Sequence, residues 1–339
     1  MRPLRCAAAG YFATTALCCA LACSLDYSVG PFDGGDSGNP SPDGGKPSDG
    51  GGSDGPATAV PPSCATAQTC TGGKSCCASD LVTGGPFHRD NDGNYAATIS
   101  DFQLDVFEVT VGRFRAFVNA GKGTRNSAPA AGAGAHPKVA NSGWDPSWNG
   151  NLAASTDALK TALACDPSME TWTASPSAQE TRPINCVTWY DAFAFCIWDG
   201  GRIPTTSEWN YAAAGGSKQL AYPWGNAFES SRVTYGCGGS CSKDNLLPVG
   251  SKSPQGDGTW NQADLAGSLW EWTLDSSRTL LPPPCADCSN YSPSATPRVR
   301  RGGNVSSENT DELRTDYSSE RPGTERHWSN GFRCARPAK

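Results

Sequence analysis

Residues 264–275 read DLAGSLWEWTLD. Glu271 stands between Trp270 and Trp272, Asp264 lies seven residues upstream, and Gly267 falls between the two acids. An aromatic stretch of this kind reads as buried, and a buried carboxylate is costly unless something pairs with it. Two answers are open from the residues alone. The acids cap a turn beside packed tryptophans, or they meet something that the segment alone does not name.

The stretches around this segment have recognisable local form. Upstream, TTSEWNYAAAGG reads as a helix in which Thr205 and Glu208 have capping-box spacing and Gly215 gives the stop. TWYDAFAFCIWDGG reads the same way, with Thr188 and Asp191 at its start and Gly200 at its end. In VGRFRAFVNAG, Phe114, Phe117 and Val118 fall on one face of a short amphipathic helix ending at Gly121. TISDFQLDVFEVT, residues 98–110, has the character of one strand. Residues 122–165 show little periodicity and read as long surface loops anchored by Trp144 and Trp148. After the Thr205 helix only strands and loops are expected. The mixture is α+β with much irregular structure, and no repeat or linker divides residues 63–338, which read as one domain.

Composition agrees. The 339 residues include 39 Gly, 26 Pro and 11 Trp, which suits a loop-rich fold with aromatic anchors better than a helical bundle. Net charge is −6, the isoelectric point is near 5.1 and mean hydropathy is −0.46. No basic face for nucleic acid is to be expected from such a balance.

The first 22 residues read as a signal peptide, with Arg2 and Arg5 before an apolar run too weak for a spanning helix. ALAC at its end resembles a bacterial lipoprotein signal in which Cys23 is lipidated, although Ala20 stands where Leu is usual. The other reading is an ordinary secretory signal cleaved nearby. Both export the protein, to the periplasm or to a lipid-anchored position at the outer membrane or cell surface. Residues 23–62, rich in Gly, Pro, Ser and Asp, bury too little to order themselves and read as a tether.

Export makes the cysteines legible. Setting Cys6, Cys18, Cys19 and Cys23 aside from the 16 leaves 12, an even number in an oxidising compartment, so disulfides are expected. Pairing among Cys64, Cys70, Cys76 and Cys77 does not follow from spacing. Cys237, Cys241, Cys285 and Cys288 admit a zinc reading, but no histidine supports it.

No G-x-S-x-G, P-loop or H-E-x-x-H string occurs. His88, His136 and His327, the three histidines, have no helical ligand spacing and read as surface residues.

Six strings in order resemble the formylglycine-generating, sulfatase-modifying-factor family. They are DFQLDVFEVTVGRFRAFV, RPINCVTWYDAFAFCIWDGGRIPTTSEWNYAAAGG, YPWGN, DLAGSLWEWTLD, RVRRGGN and GFRCAR. The resemblance implies an irregular, loop-rich variant of the C-type lectin fold. It also implies a structural calcium ion held by the Asp264 and Glu271 side chains and the Gly267 and Leu269 carbonyls. Those are oxygen ligands suited to a hard cation. The family often has Asn where Ser268 stands. A second calcium site would fall on Asn245 and the Leu246 carbonyl, but the acid-bearing segment that follows in the family is missing. The family joins the positions of Cys196 and Cys334; Cys165 with Cys186 is the next pairing expected, and Cys237–Cys241 and Cys285–Cys288 are local guesses.

Members are oxidoreductases that use two cysteines and copper to convert a sulfatase cysteine to formylglycine. Counting from Gly302 and Gly303, those positions fall on Ser307 and Glu312 here, and no cysteine occurs between Cys288 and Cys334. A further family cysteine pair falls on Ala213 and Tyr317. Copper is therefore not expected. The expectation is a non-catalytic surface protein, structural or binding a glycan or protein ligand. The alternatives are a protein-modifying oxidase or an iron-dependent oxidase as in other family branches.

Overall fold

The computed structural model describes residues 60–66 and 68–338. The expected signal peptide, the expected lipidation site Cys23 and the part of the expected tether up to residue 59 lie outside them. The described residues form one compact unit. Among the described residues no helix is long and apolar enough to cross a membrane.

In chain order the strands and helices are β1 (Ser79–Val82), β2 (Gly85–His88), β3 (Ala96–Ile99), β4 (Phe102–Asp105), α1 (Val111–Asn119), α2 (Thr156–Leu163), α3 (Trp189–Trp198), α4 (Thr206–Ala213), β5 (Trp270–Trp272), β6 (Cys285–Ala286), β7 (Pro297–Arg301), β8 (Ser318–Pro322), β9 (Asn330–Gly331) and β10 (Ala335–Pro337). They make three small sheets, ordered β1-β4-β10, β2-β3-β6 and β8-β7-β5-β9. Short 3-10 turns and loops make up much of the rest.

The helices obey their local signals. Thr188 accepts from Asp191 N while Asp191 accepts from Thr188 N, and Thr205 and Glu208 repeat the exchange. Glu208 also takes both ends of the buried Arg202 guanidinium, at 2.6 and 2.5 Å. Helices α1 and α3 pack Phe114, Phe117, Phe193, Phe195 and Trp189 into the largest core cluster, which also holds Trp144, Trp148 and Phe332.

Two expectations need correction. The stretch 98–110 is not one strand. The chain breaks at Ser100–Asp101, where Asp101 accepts from Gly84 N at 2.7 Å and Asp287 accepts from Ser100 N at 2.7 Å. β3 and β4 thereby enter different sheets. Residues 122–165 are not all loop either. Ser155 caps α2, which buries Leu159 and Leu163; two apolar contacts in eight residues are too few to stand out as a period.

All twelve described cysteines are paired: Cys64–Cys77, Cys70–Cys76, Cys165–Cys186, Cys196–Cys334, Cys237–Cys241 and Cys285–Cys288. The four cysteines of the zinc reading thus form two separate disulfides. Cys196–Cys334 spans 138 residues and ties α3 to the chain before β10. In the chain-entropy model such a closure is worth about 4–5 kcal/mol. Beside it lies a buried square of charges. Arg113 donates to Asp105 at 2.9 Å and to Asp199 at 2.6 Å, and Arg336 donates to the same two acids.

Candidate functional site

The opening segment forms the β5 strand and the loop before it. β5 lies between β7 and β9. Glu271 is fully buried, and its partner is a side chain. Arg333 donates to both carboxylate oxygens at 2.7 Å, and the Trp209 indole N–H donates to Oε2 at 2.9 Å. Arg333 spends its other donors on the carbonyls of Asp105, Val106 and Ala263. The loop backbone is left-handed at Asp264, Gly267 and Ser268. Gly267 is obligatory on two counts: φ is +76°, and a Cβ there would sit 2.2 Å from the Thr234 carbonyl oxygen.

A third acid joins this segment. Glu108 accepts from Ser268 Oγ at 2.9 Å and from Leu269 N at 3.1 Å. Asp264 accepts from Gly250 N at 2.5 Å. Burial, with the charges of Asp264 and Glu271 nearby, pushes the Glu108 carboxyl well above its ordinary range. Burial likewise raises Asp264, to about 6. Three acids thus share the field of one guanidinium, Arg333, and the excess is negative. Among the described residues no three His, Cys, Asp or Glu side chains are grouped to hold a metal ion. A cation here would rest on carbonyl oxygens as much as on carboxylates. The Gly267 and Leu269 carbonyls accept no loop or side-chain hydrogen bond among the described residues, and Asp264 keeps one oxygen beyond its bond to Gly250. Glu271 has both oxygens taken by Arg333 and Trp209, so of the two expected side-chain ligands only Asp264 has an oxygen without a hydrogen-bond partner among the described residues. At the second expected position, Asn245 Oδ1 is taken by Ser242 N at 2.9 Å, and Leu246 is fully buried.

The Ser307 and Glu312 positions meet. β7 ends at Arg301; Gly302 and Gly303 turn the chain; a 3-10 turn follows at Thr310–Leu313. Gly303 has φ +72°, and a Cβ would lie 2.9 Å from the Glu312 carbonyl oxygen, so the close turn depends on glycine. Within it Ser307 Oγ donates to Glu312 Oε2 at 2.6 Å. Both line an open cleft of about 660 Å³ together with Trp270, Arg300, Tyr317 and Trp328. Cys285 and Cys288 are not part of that lining.

His327 also lines the cleft, but its Nδ1 is bonded to Ser329 Oγ at 2.8 Å, and Ser307 is engaged by a carboxylate. Ser307 and His327 therefore do not form a nucleophile–imidazole pair with each other; the hydroxyl on the imidazole is that of Ser329, two residues away. His88 bonds Gln219 at 2.8 Å, and His136 lies 3.4 Å from Glu208. His136 is buried, which corrects the reading of it as a surface residue; its loop folds over the start of α4.

Sequence reasoning did not single out Glu108, Arg333, Trp209 or Arg300. Glu108 and Arg333 lie inside quoted strings, DVFEVT and GFRCAR, where an acid and a base among apolar residues are the available signal.

Residues 69–338 match the sulfatase-modifying factor enzyme 1-like domain. The chain is similar to the inactive C-alpha-formylglycine-generating enzyme 2 of Bos taurus, 30% identical over 213 residues, which is 57% of this chain and 66% of that one. It is 28% identical over 215 residues to the formylglycine-generating enzyme of Thermomonospora curvata, covering 56% and 65%. The match therefore spans just under two thirds of these relatives' own length. Among solved structures, PvdO from Pseudomonas aeruginosa superposes with a TM-score of 0.51 at 17% identity, over 82% of this chain and 99% of that one. Treponema denticola variable protein 1 gives 0.50 at 18% identity, over 77% and 95%.

Proposed function

The chain belongs to the sulfatase-modifying factor enzyme 1-like family, and from that premise we propose that it is a non-catalytic member, an exported surface protein whose cleft binds a ligand instead of oxidising a thiol. One observation carries this: the hydrogen bond from Ser307 to Glu312 occupies the place where the chemistry needs two thiols. A hydroxyl and a carboxylate are hard ligands with little affinity for Cu(I), and neither forms a disulfide with a substrate cysteine. The twelve described cysteines are committed to disulfides, so none is free to substitute. Relatives whose name includes "inactive" support the same reading.

The N-terminal sequence supports export and lipidation at Cys23, with residues 23–62 giving reach from a membrane to the folded unit. Calcium is the cation proposed for Asp264, Gly267, Leu269 and Glu271. Bound there it would offset the surplus negative charge of the Arg333 cluster and fix the loop. Glu271 would share its carboxylate between Arg333 and the ion. The Asn245 and Leu246 position has no comparable charge excess to support it. An iron-dependent oxidase would need imidazoles brought together, whereas His88, His136 and His327 each bond a different neighbour.

Cu(I) competition against a chromogenic chelator tests the proposal. The wild-type chain is expected to withdraw no copper into the cleft, and a Ser307→Cys/Glu312→Cys variant to gain a competing site. Equal competition by the two proteins would refute it.

A further inference from the structure

Arg300 lies on β7, one residue from Arg301. Arg301 reaches Asp90 at 2.5 Å, but Arg300 has no carboxylate within ion-pair distance among the described residues. Its side chain makes one hydrogen bond, from Nη1 to Asn330 Oδ1 at 2.5 Å. Asn330 Nδ2 in turn donates to Glu325 at 3.1 Å, so the nearest acid in this chain of contacts is one amide away. Nε is buried without a partner. The residue is 5% exposed, and it lines the cleft. Its guanidinium lies over the Trp270 ring, 4.8 Å from the centroid. That contact attracts a cation but supplies no acceptor.

A buried guanidinium without a counter-ion is costly unless something pairs with it. Burial and the neighbouring Arg321 lower Arg300 to about 10, and the attraction of Glu325 and Glu312 does not reverse this. The group stays charged at neutral pH and lines an open cleft, where Nη2, which has no hydrogen-bond partner among the described residues, could donate to an anion.

The remaining wall restricts what carries that anion. Glu308 and Glu312 suit hydroxyl donors, and the wall also carries Arg321, whose guanidinium lies 3.7 Å from Glu325. Ser306 and Ser319 add hydroxyls. Tyr317 and Trp328, both partly exposed, offer amphipathic rings against which a C–H face can lie.

We propose that this cleft binds an acidic sugar, a uronic acid, with its carboxylate on Arg300 and its hydroxyls toward Glu308 and Glu312. The inference rests on the non-catalytic reading, since it fills the same cleft. Glucuronate and galacturonate are the probes, with glucose, galactose and acetate as controls, titrated into the full chain and followed by calorimetry. A charge-assisted pair predicts that a uronate binds about tenfold to a hundredfold more tightly than its neutral counterpart. Acetate should bind more weakly than the uronates. Ser319 is the cross-strand partner of Arg300, so Ser319→Asp places a carboxylate beside the guanidinium without removing it. That variant should fold, melt no lower than wild type and lose uronate binding. No uronate binding, equal binding of glucose or acetate, or full binding by folded Ser319→Asp would each overturn the inference. The Cu(I) competition on the same sample separates the two failures. Lost uronate binding with no copper uptake defeats only this inference, whereas copper uptake in the cleft defeats the premise and the inference with it.

Discussion

Arg333 and Arg300 are both buried guanidiniums close to β5, yet their surroundings are opposite. Arg333 has every donor placed, with a forked pair to Glu271 and three carbonyls. Arg300 has one amide partner and an aromatic ring. Around Arg333 the acids are in surplus; around Arg300, among the described residues, none comes within ion-pair distance. A charge with its partners in the chain is part of the frame, and a charge without them at the wall of a cleft points to something outside the chain. The square of Asp105, Asp199, Arg113 and Arg336 is the balanced case, two charges of each sign, each paired within the chain.

The contrast breaks most easily at Arg333. Arg333→Met leaves Glu271 buried and unpaired, at an expected cost of about 3–5 kcal/mol. Arg300→Met removes a charge that has no counter-ion, and should change stability by less than about 1 kcal/mol. Urea midpoints measured side by side decide this, and equal losses would mean that the two sites are not different in kind.

Calcium sharpens the acid surplus. A bound ion adds about 2.7 kcal/mol at a hundredfold excess over Kd. The melting temperature should therefore rise with calcium and fall with EDTA, and Asp264→Asn should remove most of the difference. A wild-type melt indifferent to both removes calcium from the Arg333 cluster.

The balanced square should show itself in acid. Burial alone would raise Asp105, but Arg336 and Arg113 override it and hold the carboxyl below its ordinary value of 3.8. The folded pKa is thus below the unfolded one. The stability this contributes is present above about 3.8 and is lost as pH falls through the depressed folded value. Unfolding free energy followed downward from pH 5 should decline more steeply in wild type than in Asp105→Asn.

The smallest effect is expected at Ser307. Its hydrogen bond goes to a half-buried carboxylate, so Ser307→Ala should cost about 1 kcal/mol, seen as a small shift in urea midpoint. A loss as large as that of Arg333→Met would make Ser307 part of the frame and not of the cleft.

What could be read in the sequence was what neighbours in sequence decide. Thr188 with Asp191 and Thr205 with Glu208 are three residues apart, and their caps close as the spacing implies. The meeting of Ser307 and Glu312 follows from a short turn fixed by Gly303. What could not be read depends on distant partners. Glu271 meets Arg333 across 62 residues, and Ser268 meets Glu108 across 160. Asp287 interrupts the expected strand at Ser100 from 187 residues away. The isolation of Arg300 is the extreme case, because the lack of a partner is a property of the whole fold and has no local mark in PRVRRGGN.

The most direct measurement is on the cleft itself. The purified wild-type chain, incubated aerobically with copper and a peptide bearing a sulfatase-motif cysteine, is followed by mass spectrometry. The cysteine mass is expected to remain unchanged apart from ordinary thiol oxidation. Copper-dependent appearance of the formylglycine mass would contradict the non-catalytic reading of Ser307 and Glu312.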